Sequence, residues 1–163
     1  GHMHWNKGDL DTALDYYERS LAIAEELGQK RGMGRSLLSI GHMHWNKGDY
    51  EKALEYLEKS LNIQKEIGLG EGSLMLETTT YLYLTYKHLG KAYDVNDIHR
   101  LIKEAENIEF DLNYAIYQLL EDKSYLETAY HQIQEKASAM EDGAKLLELP
   151  IPKAIIEEWE KVK

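Results

Sequence analysis

The sequence predicts an all-α chain: about four helical hairpins stacked in tandem into a right-handed α-α superhelix, followed by a C-terminal helix. Three observations carry that prediction. Residues 1–9, Gly-His-Met-His-Trp-Asn-Lys-Gly-Asp, return letter for letter at residues 41–49, and residues 1–32 laid over 41–72 are identical at 19 of 32 positions. Self-similarity at such a period marks a stack of supersecondary units, none of which buries its apolar face without a neighbour. Apolar side chains recur at steps of three and four along most of the 163 residues, the period of one helix face. Only two prolines occur, both near the C-terminus, so little interrupts a helix.

Each element follows from local chemistry. In residues 49–67, Tyr50, Ala53, Leu54, Leu57, Ser60 and Leu61 share one face while Glu51, Lys52, Glu55, Glu58 and Lys59 fill the other. Asp49 after Gly48 is placed to accept first-turn amides, and Asp9 after Gly8 is expected to do the same. The preceding helix is expected over 34–47, with Leu37, Ile40 and Met43 or His44 inward and Gly41 letting the partner helix approach closely. Residues 73–89 form the next helix, Gly90 a turn, and 95–108 a helix with Ile98, Leu101, Ile102 and Ala105 inward. A fourth pair is expected over 112–121 and 125–140, with Ser124 and Glu127 spaced as a capping box. Leu149-Pro150-Ile151-Pro152 should break the chain before a terminal helix over 152–162. The whole of 1–163 reads as one domain of units 1–30, 34–68, 73–108 and 110–140 plus that helix.

Composition narrows the function. Hydrophobic residues at 43 % and charged residues at 29 % suit a folded, water-soluble chain. A formal charge of −10 without clustered Lys and Arg argues against nucleic acid or an anionic membrane as ligand. The absence of cysteine removes disulfides, thiolate metal sites and cysteine catalysis, and fits a reducing cytoplasm. No apolar run is long enough to span a bilayer or to act as a signal peptide. Gly1-His2-Met3 also matches a remnant of tag removal, but its return in phase at 41–43 favours a native origin.

Asn46-Lys47-Gly48-Asp49-Tyr50-Glu51-Lys52-Ala53-Leu54-Glu55-Tyr56-Leu57-Glu58-Lys59-Ser60-Leu61 resembles a tetratricopeptide repeat. Leu37, Ile40, Gly41, Gly48, Tyr50, Ala53, Leu57 and Ser60 fall on that family's signature positions, as do Gly8, Leu10, Ala13, Tyr17 and Ser20 one unit earlier. The period of 40 departs from the usual 34, and glycines (Gly28, Gly32, Gly68, Gly70, Gly72) stand where a proline is usual. In this the unit resembles the longer repeats of Pins- and LGN-like scaffolds and of kinesin light chain. Residues 124–137 with the Pro-Ile-Pro helix resemble the ends of repeat arrays in microbial signalling ATPases and cyclases. The resemblance implies a TPR solenoid that binds a protein or peptide partner in its concave groove, without catalysis or cofactor. On the family's numbering Gly1 is the eighth position, so half of the opening helix is missing. The helix over 9–27 is then expected to keep uncovered apolar surface and to support a homo-oligomer through the uncapped N-terminal end.

Candidate site residues follow from the helix that lines such a groove. His2, Trp5, Asn6, Arg35, Leu38, His42, Trp45, Asn46, Thr80, Leu84, Lys87 and His88 form the expected partner-binding set, with Trp5 and Trp45 as aromatic anchors. Packing of each indole against the next unit is the competing structural role. A carboxylate clamp is disfavoured, because Leu38, Ser39 and His42, then Thr80, Tyr81 and Leu84, stand where Lys and Asn would be needed. His2 with His4 and His42 with His44 are two apart and point to different sides of a helix, so neither pair chelates a metal. One histidine of each pair is expected in the solvent and the other in the interhelix seam. Tyr81, Tyr83, Tyr86 and Tyr93 read as core, with a binding platform as the alternative. Gly68–Gly72 follows a helix and lacks the Gly-Lys-Ser/Thr ending of a phosphate loop, and no Ser, His and acid set sits in a catalytic context. The leading expectation is a non-catalytic binding module; the alternative is a regulatory or sensor segment of a larger signalling ATPase or cyclase.

Overall fold

The computed structural model describes residues 7–67, 73–105 and 107–163. Among them every regular element is a helix: α1 (Lys7–Leu27), α2 (Lys30–Asn46), α3 (Tyr50–Glu66), α4 (Ser73–Leu89), α5 (Val95–Glu104), α6 (Phe110–Leu120), α7 (Lys123–Ala139), α8 (Gly143–Leu146) and α9 (Pro150–Val162). The chain falls into two compact units, one holding α1–α5 and the other α6–α9. In the first, helices pack in chain order and α2 also meets α4; in the second, α6 packs on α7, which meets α8 and α9. This is the all-α array of successive helical pairs that the repeat predicts.

Turns in the first unit follow the glycines. Gly28 and Gly90, immediately after α1 and α4, and Gly48, two residues after α2, take φ of +68°, +74° and +82°, in a region that L side chains avoid. Asp49 caps α3 as expected, its carboxylate accepting from the Lys52 amide at 3.3 Å. Gly8 behaves differently from Gly48: it lies within α1, so Asp9 is a first-turn acid facing the positive helix end and not a cap. A second correction concerns α2, which starts at Lys30 and not at residue 34. Helix there lets Gly34 sit against Ile63 and Gln64, and its carbonyl accepts from Ser60 Oγ at 2.6 Å. Tertiary contact outweighs the poor helix propensity of two glycines.

A buried polar chain ties three helices together. Gln64 Nε2 donates to Ser60 Oγ at 3.0 Å and to Thr78 Oγ1 at 2.7 Å, and Thr78 Oγ1 donates to the Leu74 carbonyl at 2.9 Å. Around it the core is Ile40, Ala53, Leu57, Leu76 and Ile98, all fully enclosed. Gly41 is the point of closest approach of α2 and α3, directly over Leu57. α5 ends at Glu104, four residues short of the expected helix, because Ala105 turns extended (φ −79°, ψ 133°) once Ile98 and Leu101 have been buried.

In the second unit, Tyr114, Leu126, Ala129, Ile133 and Ile155 form one core, flanked by Phe110, Tyr130 and Trp159. The expected capping box at Ser124 does not form. Asp122, a stronger acceptor, takes the Ser124 amide at 2.9 Å and its hydroxyl at 2.8 Å, and α7 starts at Lys123. Glu127 instead faces His131 at 3.6 Å. The prolines do not precede the last helix but open it: α9 begins at Pro150, where a missing N–H costs nothing. Tyr117 Oη donates to Glu158 Oε1 at 2.9 Å and Lys123 Nζ to the Val162 carbonyl at 3.1 Å, fastening α9 at both sides.

Candidate partner-binding face

Steps of three and four along α2 bring Arg35, Leu38, His42, Trp45 and Asn46 to one side of that helix. α4 packs against it. The His42 ring lies 4.2 Å from Tyr81 at 31°, and Trp45 meets Tyr81 edge-on at 5.8 Å and His88 at 6.0 Å. Tyr50, the first residue of α3, stacks on His88 at 4.4 Å and 9° and lies 6.4 Å from Trp45. Three helices thus contribute to one aromatic cluster. Beside it lies a cleft of ≈ 230 Å³ lined by Arg35, Leu38, Ser39, His42, Leu74 and Glu77.

The polar atoms of this cluster are unusual. His42 Nε2, Trp45 Nε1 and both Asn46 amide atoms are enclosed without a hydrogen-bond partner. Buried polar groups are nearly always paired, so several unpaired ones on one and a half turns of a single helix carry a local cost, which rotation of these half-buried side chains toward solvent would relieve. Burial holds the His42 imidazole down to about 4, so the ring is neutral near pH 7 and offers one donor and one acceptor. His44 is also shifted down by burial, with Asp49 opposing, and stacks on Tyr56 at 5.5 Å. The expectation that one histidine of the pair faces solvent fails here: α2 is covered on both sides, by α3 and by α4.

The expected set divides. Arg35, Lys87 and His88 are exposed, and His42, Trp45 and Asn46 are half-buried in the cluster. Leu38, Thr80 and Leu84 are buried, at 6 %, 0 % and 2 % exposure, because α4 is enclosed over most of its circumference and reaches the surface mainly at its C-terminal end. His2, Trp5 and Asn6 lie outside the described residues. Sequence reasoning missed Tyr50 and placed Tyr81 in the core, with a binding platform as the alternative. Tyr50 replaces Leu10 of the preceding unit, which makes it read as another apolar repeat position. Tyr83, Tyr86 and Tyr93 do pack together, at 5.8 and 5.5 Å, with Tyr83 donating to Asp97 at 2.6 Å and its hydroxyl pushed far up by burial and that carboxylate.

Among the described residues no group of three His, Asp or Glu side chains could hold a metal ion, and no helix is long and apolar enough to cross a membrane. Residues 1–66 match the family model described as tetratricopeptide repeat, whose members generally mediate protein–protein interaction. No curated protein and no solved structure matches the chain.

Proposed function

We propose that the chain is a non-catalytic interaction module that takes a polypeptide segment, extended or helical, on the face built by α2 and the C-terminal end of α4. The observation that carries this reading is the cluster of His42, Trp45 and Asn46, whose unpaired polar atoms stand among the rings of Tyr50, Tyr81 and His88. A bound main chain supplies the alternating carbonyls and amides that such atoms need once the half-buried side chains turn outward from the helix that carries them. The rings supply apolar area at low conformational cost, which is why aromatics dominate the energetics of interfaces. Rigid helices hold these groups in place before binding, so most of the ordering cost falls on the partner.

Trp45 is the residue to test. Random peptides displayed on phage and selected on the wild-type chain should yield binders that Trp45→Ala weakens by about 1 to 3 kcal/mol, roughly 10- to 200-fold, with far-UV circular dichroism unchanged. Absence of enrichment, or equal binding to both chains, contradicts the reading.

A further inference from the structure

We infer that the cleft between α2 and α4, beside the aromatic cluster, receives a glutamine side chain of the bound segment. The inference rests on the reading of the α2–α4 face as a polypeptide-binding surface and names what the partner carries there. Arg35, Ser39 and His42 stand at steps of four and three, on one side of α2, and Leu74 and Glu77 line the same cleft from the start of α4. Leu38, which is buried, completes the lining. At ≈ 230 Å³ the cleft is smaller than small-molecule sites, which run from roughly 300 to 1,000 Å³, and it suits a single side chain.

Charge selects which side chain. The Arg35 guanidinium only donates hydrogen bonds and the Glu77 carboxylate only accepts them, whereas the Ser39 hydroxyl does both. His42, held neutral near pH 7 by its burial, likewise has one donor and one acceptor nitrogen. The formal charges of the lining therefore cancel. Arg35 is exposed and makes no ion pair among the described residues, so its guanidinium is open to an acceptor. A carboxylate entering the cleft meets Arg35 but also Glu77, and a basic side chain meets Glu77 but also Arg35, so each loses water against a like charge. An apolar side chain takes water from both head groups and pairs with neither. A primary carboxamide carries no charge, and it offers its oxygen to the one group and its NH₂ to the other. Glutamine sets that group on a longer apolar stem than asparagine does, and Leu38 and Leu74 are there to cover it.

Peptides selected by phage display on the wild-type chain should carry a glutamine at a fixed spacing from the residue whose contact is lost with Trp45→Ala. Fluorescence anisotropy of one such labelled peptide is the test. Replacing its glutamine by glutamate, and separately by lysine, should weaken binding to the wild-type chain about 10-fold each. Glu77→Gln in the chain should recover the glutamate peptide and not the lysine one, and Arg35→Gln should recover the lysine peptide and not the glutamate one. Circular dichroism of both variants should match the wild type, since neither side chain is buried. A misfolded variant loses all three peptides, which the crossed recovery distinguishes. Peptides that bind and weaken on Trp45→Ala, yet carry no glutamine or tolerate both replacements, overturn this inference and leave the polypeptide-binding face standing. Absence of crossed recovery in folded variants also overturns it, and absence of any binder overturns both readings.

Discussion

Replacing Gly41 with alanine tests the close approach of α2 and α3. A Cβ added there would lie 2.7 Å from Leu57 Cγ, 2.9 Å from Cδ2 and 3.3 Å from the Leu57 backbone nitrogen. Rotation about χ1 cannot relieve this fully, because the backbone nitrogen is itself close and Leu57 is wholly enclosed. The helices must separate or Leu57 must leave its rotamer, at about 1 to 3 kcal/mol. Alanine returns about 1 kcal/mol of helix propensity, so a net loss of roughly 1 to 2 kcal/mol is expected. Gly34→Ala is the matched control on the same helix. Its Cβ would meet Ile63 Cγ2 at 3.6 Å and Gln64 Cγ at 3.7 Å, ordinary contact, so the propensity gain survives and stability rises by about 0.5 to 1 kcal/mol. Urea unfolding followed by circular dichroism should therefore show opposite signs for the two substitutions. A Gly41→Ala chain as stable as Gly34→Ala would refute the close approach.

Three other outcomes follow from buried groups. Ser60→Ala removes the donor to the Gly34 carbonyl and an acceptor for Gln64, and should cost about 1 to 3 kcal/mol in urea unfolding. Ile155→Ala should cost about 2 to 5 kcal/mol in the stability of the α6–α9 unit, read by hydrogen exchange of α7 amides, because Ile155 is fully enclosed in that core. His42 titrates below its ordinary 6.5 in the folded chain, at about 4. Its contribution is therefore complete above about pH 6.5 and lost as pH falls toward 4, by at most about 3 kcal/mol, and His42→Gln should flatten the stability profile between pH 6.5 and 5.

Much of the fold was legible because the repeat and the helical period point the same way. α3 and α4 lie within a residue of their expected spans, since Asp49 and Gly90 mark ends whose chemistry is local. Boundaries moved where a non-local partner decided. Gly34 reads as the start of a helix, with residues 30–33 before it, until α3 offers Gly34 a packing surface well inside α2, and Ser124 reads as a cap until Asp122 competes for its amide. The candidate face was legible on α2, where one helix supplies the whole pattern. It was less so on α4, because a stripe at 80, 84, 87 and 88 does not reveal how many neighbours enclose its first half. Pairing of Tyr50 with His88 could not be read at all, since it joins residues 38 apart, the first of α3 and the last turn of α4.

Docking of a polypeptide on the α2–α4 face is visible in the indole N–H resonances of a ¹⁵N-labelled chain titrated with a peptide selected on it. The Trp45 indole should shift on binding, since its Nε1 gains a partner, while the Trp159 indole in the α6–α9 core stays in place. A saturating peptide that leaves Trp45 unmoved, or that moves Trp159 instead, would contradict it.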